Sequence, residues 1–152
     1  MQSDGADRNV IVCKYLNYQY RRNNILYTIR IPLVHIYLKS SNIEFETVGL
    51  VDSGATQTLI PKEIADTLQL DYKEETVDVE GAGATFPTRM AILARLKLLK
   101  NVTPFDSYTR IKVLVPERDG TLPYVILGRD YVFRRFDITF HENRQKMTFR
   151  KI

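Results

Sequence analysis

Apolar side chains return at every second position in one stretch of this chain after another. Ile25, Tyr27, Ile29 and Ile31 alternate with Leu26, Thr28 and Arg30. Ile43, Phe45 and Thr47 alternate with Glu44 and Glu46, and ETVDVE at 75–80 repeats the pattern. A period of two puts each set on its own face of a strand. Glycine, proline and the Ser40-Ser41-Asn42 cluster punctuate the runs, as turns require. A chain written this way folds mostly as β-sheet.

Individual elements follow. Residues 1–9 are expected to be disordered. Residues 10–24 begin apolar and end polar, which predicts a short strand and then a turn or linker. Residues 25–38 predict a strand that buries the Ile25-Tyr27-Ile29-Ile31 face and is interrupted at Pro32. Residues 43–51 predict a strand that starts half exposed and ends in the core. Pro61 opens the one clear helix, about 61–69. Proline suits a first helical turn, Glu63 suits its dipole, and Ile64, Ala65 and Leu68 form its apolar stripe. Gly81-Ala82-Gly83-Ala84 separates ETVDVE from a long β-like run to about Leu99, a hairpin with a flexible tip. Further strands are expected at 109–115, 123–127, 136–140 and 146–150, with a helical turn at 129–134.

Composition removes several function classes. A length of 152 residues favours one domain. The single cysteine, Cys13, permits no internal disulfide and fits a reducing compartment. The N-terminus is polar and no apolar run has the length of a membrane span, so a cytoplasmic protein without a membrane partner is expected. The net charge of +4 sits entirely in residues 129–152, which carry seven basic and three acidic side chains. No aromatic-plus-basic binding pattern stands beside that excess, so nucleic acid is not an expected partner. His35 and His141 have no cysteine or histidine at ligand spacing, so no metal site is expected. Gly81-Ala82-Gly83 lacks the third glycine of a dinucleotide fingerprint, and Phe86-Pro87 cannot open the helix such a site needs. Ser53 has no nucleophile-elbow pattern around it.

Asp52 stands out against this background. Leu50-Val51 runs into Asp52-Ser53-Gly54, and apolar residues resume at Leu59-Ile60. Asp-Ser-Gly alone is ordinary turn chemistry. Here it places a carboxylate between two apolar runs. Far downstream, Val125-Ile126-Leu127 again breaks at a glycine, Gly128, followed by Arg129-Asp130.

Together these two segments resemble the retropepsin-like aspartic proteases, the single-motif relatives of pepsin. The resemblance covers roughly Ile43 to Ile152, and its anchors are Leu50–Thr56 and Ile126–Asp130. It implies a mostly β, retropepsin-like acid-protease half-barrel with one or two short helices. Asp52 is then the catalytic aspartate, and Ser53, Gly54, Ala55 and Thr56 support its loop. Gly81, Ala82, Gly83 and Ala84 form the flap tip, and Gly128, Arg129 and Asp130 pack behind the loop. Val113-Leu114-Val115 and the loop Pro116–Tyr124 are implied to wall the substrate cleft, and the two last strands to form the dimer region. No cofactor is implied. Two features depart from the family. Thr56 stands where many viral members carry an acid, so no ion pair with Arg129 forms there in that way. Residues 1–42 exceed the usual N-terminus. The division expected is a partly disordered extension at 1–24 and the protease domain at 25–152.

Water-mediated peptide hydrolysis of this kind uses two carboxylates, one ionised and one protonated. The chain has one Asp-Ser-Gly; Asp106-Ser107 is followed by Tyr108, and Asp119-Gly120-Thr121 has the wrong order. A protease built from it is therefore a two-fold homodimer acting on peptide or protein substrates, with one Asp52 from each protomer. The alternative reading is a retropepsin fold kept for dimerisation or peptide binding, with little or no hydrolysis.

Overall fold

The computed structural model describes residues 9–81 and 83–152. The expected disorder at 1–9 falls almost wholly outside that range. In chain order the elements are β1 (Val10–Lys14), β2 (Leu16–Arg22), β3 (Ile25–Ile31), β4 (Leu33–Lys39), β5 (Glu44–Val51), α1 (Lys62–Thr67), β6 (Thr76–Gly81), β7 (Ala84–Lys100), β8 (Thr103–Pro116), β9 (Val125–Leu127), α2 (Val132–Arg135), β10 (Phe136–His141) and β11 (Lys146–Lys151). The mostly β reading with two short helices stands.

β7 organises the main sheet. β8 lies antiparallel along one edge of it from Thr88 to Lys100. Its other edge carries β6 at the start, through Gly81↔Ala84, and β4 at the end, through His35↔Leu99. β4 continues the sheet to β5, and β5 pairs in parallel with the three-residue β9. A register shift between Leu98 and Leu99 breaks the alternation of β7, and both leucines are buried as a result.

A second sheet runs β1-β11-β10. Its inner face sends Phe136 and Phe149 against Phe105 of β8, with ring centroids 5.3–5.9 Å apart. Phe136 and Phe149 are fully buried, and each burial contributes about 1.5–3 kcal/mol. α1 follows Pro61 and buries Ala65 and Leu68 on the stripe expected of it.

Three expectations need correction. Residues 16–22 form β2, not a turn or linker; Tyr18 and Tyr20 alternate with Asn17, Gln19 and Arg21 and pair with β3. The Ile25-Tyr27-Ile29 face of β3 is exposed, because β2 and β3 form a two-stranded sheet of their own outside the core. β8 starts at Thr103, six residues before the expected strand, because Asn101 adopts a left-handed turn conformation (φ 56°) and returns the chain directly along β7.

Candidate active site

β5 enters the core at Val51 and releases the chain into a tight loop at Asp52. The Asp52 N–H donates to the Leu127 carbonyl at 3.1 Å, extending the β5–β9 pairing by one bond. The Asp52 carboxylate then accepts the Gly54 N–H at Oδ1 (2.9 Å), and its carbonyl accepts the Ala55 N–H (3.2 Å). A Cβ on Gly54 would stand 3.2 Å from Asp52 Oδ1, tighter than most real contacts. Aspartate closing its own turn onto the residue two ahead is ordinary local chemistry. Its setting is not ordinary, because the loop is clasped from behind.

The clasp is the segment after β9. Arg129 N–H donates to the Ala55 carbonyl at 2.9 Å. Thr58 is buried and donates its hydroxyl to Asp130 Oδ1 at 2.7 Å, while its N–H reaches Asp130 Oδ2 at 3.0 Å. Hydrogen bonds to a carboxylate are about twice as strong as neutral ones. Gly128 passes so close to Gln57 that a Cβ would lie 2.4 Å from the Gln57 carbonyl oxygen. Leu59 is bracketed on both sides, exchanging backbone bonds with Ile126 at 2.9 Å and bridging to Leu114. The loop is thereby held at both ends and along its back, and Asp52 faces outward.

Asp52 faces a cleft of about 860 Å³. Ala55, Thr56 and Ile126 line it with the aspartate, as do Thr121 and Leu122. The β6–β7 hairpin also lines it, through Asp78, Val79, Glu80, Gly81, Ala84 and Phe86. Gly83 adopts φ +79° at the tip of that hairpin, where side chains are disfavoured. Ala82 lies outside the described residues.

The structure thus brings Asp52, Gly54, Ala55 and Thr56 to one cleft with Gly81 and Ala84. Gly128, Arg129 and Asp130 stand behind the loop, and Ser53 is exposed on it. Val113-Leu114-Val115 does not line the cleft. These residues are buried in β8, and Leu114 secures the loop from within by donating its N–H to Thr58 and accepting that of Ile60, both at 3.0 Å. The other part of the expected wall, the loop Pro116–Tyr124, does line the cleft, through Thr121 and Leu122. Two contributors were not singled out in the sequence. Thr58 is the polar partner that Asp130 requires. Tyr124, next to β9, has its phenol pushed up by burial first, then by the neighbouring Tyr18 and the Asp52 carboxylate. Among the described residues, no group of three or more His, Cys, Asp or Glu side chains could hold a metal ion.

A parallel strand pair breaking into an aspartate loop, clasped by a glycine-centred segment under a glycine-tipped hairpin, defines an acid-protease fold. The chain belongs to the aspartyl protease family, whose sequence signature matches residues 42–131. Among solved structures it is similar to the retropepsin-like aspartic protease from Rickettsia conorii, at 15% identity and a TM-score of 0.55, over 92% of this chain and 89% of that one. It also matches the retroviral protease-like domain of Ddi1 from Leishmania major, at 14% identity and a TM-score of 0.41, over 81% of this chain and 96% of that one. A comparison with curated protein sequences found no match. No helix among the described residues is long and apolar enough to cross a membrane.

Proposed function

We propose that the protein is a homodimeric aspartic endopeptidase, in which Asp52 of each protomer supplies one of two carboxylates that activate a water. The observation that carries this reading is the Asp52 carboxylate itself. It is held by the Gly54 N–H and opens into a peptide-sized cleft that a glycine-tipped hairpin also lines. One chain holds half of the required pair, and a two-fold axis beside Asp52 provides the other half.

The chemistry follows from the pairing. Two carboxylates about 3 Å apart repel by roughly 5–6 kcal/mol at an effective dielectric of about 20, equivalent to about four pKa units. Both cannot be ionised near neutral pH, and aspartic proteases are the reference case of two such groups sharing one proton. The ionised Asp52 takes a proton from water, and the protonated one donates to the substrate carbonyl oxygen as the water attacks. Ser53, Gly54, Ala55 and Thr56 hold the loop, and Gly128, Arg129 and Asp130 support it from behind. The tip 81–84 acts as the flap that bends over substrate. The apolar lining from Val79, Phe86, Leu122 and Ile126 fits extended peptides with apolar side chains at the cut, and Asp78 and Glu80 add acidic groups on the β6 strand of the same cleft. The protease domain is assigned to 25–152, with β1 and β2 of the 1–24 extension paired onto its strands β11 and β3.

The test is cleavage of a peptide library by the full chain and by Asp52→Asn, over about pH 4 to 8. Cleavage that disappears in the variant, with folding and dimer mass unchanged, is the expected result. Cleavage retained by Asp52→Asn would overturn the assignment. Peptides bound but left uncut by the unaltered chain would identify a binding module instead.

A further inference from the structure

We propose that the β2–β3 ribbon is a dimerisation arm, whose apolar face lies on a second copy of this chain across the axis beside Asp52. The proposal rests on the dimeric reading above and adds a surface to the dimer region that the resemblance places at the two last strands.

The ribbon has one predominantly apolar face, with Leu26 as the apolar residue of the other. Its register pairs Leu16 with Ile31, Tyr18 with Ile29, Tyr20 with Tyr27 and Arg22 with Ile25 on one side. The other side pairs Asn17 with Arg30, Gln19 with Thr28 and Arg21 with Leu26. Tyr18, Tyr20 and Tyr27 stack along the apolar side with centroids 6.4 and 5.3 Å apart. Within one chain that side has little to cover it: Tyr20, Ile25, Tyr27 and Ile29 are 36–55% exposed. An isolated two-stranded ribbon is marginally stable in water, and a contiguous exposed apolar patch marks an interaction surface. Tyrosine-rich surfaces of this kind supply the anchors of protein interfaces.

Position and charge select the partner. At the base of the ribbon, the Tyr18 ring stands edge-on to Tyr124 at 5.3 Å, and Tyr124 immediately precedes β9, which pairs with the end of β5 just before Asp52. The two-fold axis that pairs the aspartates passes beside Asp52, so the ribbon leaves the protomer next to that axis. Of the ribbon's three arginines Arg22 stands on the apolar side and Arg21 and Arg30 on the other, with no acid in 16–31, whereas residues 74–80 carry four acids and no base. A second copy therefore presents, along the strand leading to its 81–84 tip, the charge opposite to that of the ribbon.

Sedimentation velocity of the full chain over a range of concentrations tests this, beside Tyr20→Ser/Tyr27→Ser/Ile29→Ser and a control, Gln19→Ser/Thr28→Ser, on the opposite face. The apolar-face variant is expected to raise the dimer dissociation constant at least about tenfold, and the control to leave it unchanged. Hydrogen exchange of the unaltered chain at low and high concentration decides the matter even if the triple variant fails to fold. Ribbon amides should slow as the dimer forms. A dimer that forms while ribbon amides exchange at one rate at both concentrations overturns the arm and leaves the dimeric reading intact. Ribbon amides that slow only when a substrate peptide is added assign the face to substrate, and also overturn the arm. A chain that stays monomeric at every concentration overturns the two-carboxylate reading itself.

Discussion

Gly128 and Gln57 meet backbone to backbone: a Cβ built on Gly128 would lie 2.4 Å from the Gln57 carbonyl oxygen, 2.6 Å from its carbon and 2.8 Å from its nitrogen. Neither side can yield easily. The Arg129 N–H ties the segment to Ala55, and Asp130 ties it to Thr58. Gly128→Ala therefore has to displace the Asp52 loop. A loss of about 3 kcal/mol in urea unfolding is expected, with cleavage lost as well. Gly49→Ala provides the comparison. Its Cβ would meet side-chain atoms of Leu127 at 3.0 Å, which can turn aside, so it should cost clearly less. The reverse order would refute the clasp.

The Thr58–Asp130 contact predicts a second loss. Thr58→Val keeps the shape but removes the hydroxyl that donates to Asp130 and that stands 3.4 Å from the Gly128 nitrogen. A part-buried bond to a carboxylate is lost, so about 1–3 kcal/mol of stability should go with it. Thr58→Ser keeps the hydroxyl and gives up one methyl, about 1 kcal/mol. If valine proves no worse than serine in chemical denaturation, the hydroxyl carries nothing.

Cys13 gives a prediction in pH. Burial raises its thiol from the usual 9.0 to about 11, with Lys100 opposing the shift. The unfolded chain therefore releases this proton before the folded one does. Below the unfolded value the thiol adds no pH dependence. As pH rises from there towards the folded value, it costs up to about 1.4 kcal/mol per unit. Cys13→Ser should remove that slope from unfolding free energies measured across the window. A thiol reagent at about pH 8 should modify the folded chain far more slowly than the unfolded one. Equal labelling rates would show that the site opens freely.

The sequence carried those parts of the fold that are periodic and local. β5, α1, β10 and β11 follow from alternation, a proline at a helix start and an apolar stripe, and the structure places all four within a residue or two of expectation. Asp52 was legible because a charged turn between two apolar runs is chemically odd. What escaped notice depends on contacts far apart in the chain. Thr58 and Asp130 are 72 residues apart, and neither indicates its partner locally. Val113-Leu114-Val115 reads as apolar in either role, and only the topology places it in the core and not on the cleft. β3 has the alternation of a half-buried strand, yet its apolar face is exposed in the single chain. Period two states that a face must be covered; it cannot state whether the cover belongs to the same molecule.

The loop 116–124 links helix α1 to the cleft and supports a last prediction. The Gly120 N–H donates to the Glu63 carboxylate, at a residue whose φ of +77° suits glycine. Thr121 anchors the same turn through a 2.9 Å bond from its hydroxyl to the Arg118 carbonyl, and Thr121 and Leu122 face the cleft. Glu63 is exposed, so Glu63→Ala should lower global stability by less than about 1 kcal/mol. Its effect should appear locally, as faster hydrogen exchange at 118–122. A loosened wall binds substrate and transition state less well by equal amounts, so KM should rise about three- to tenfold with kcat within about twofold. Glu63→Gln keeps an acceptor for the Gly120 N–H and should recover most of the loss. A fall in kcat at constant KM would place the effect at Asp52 and not at the wall.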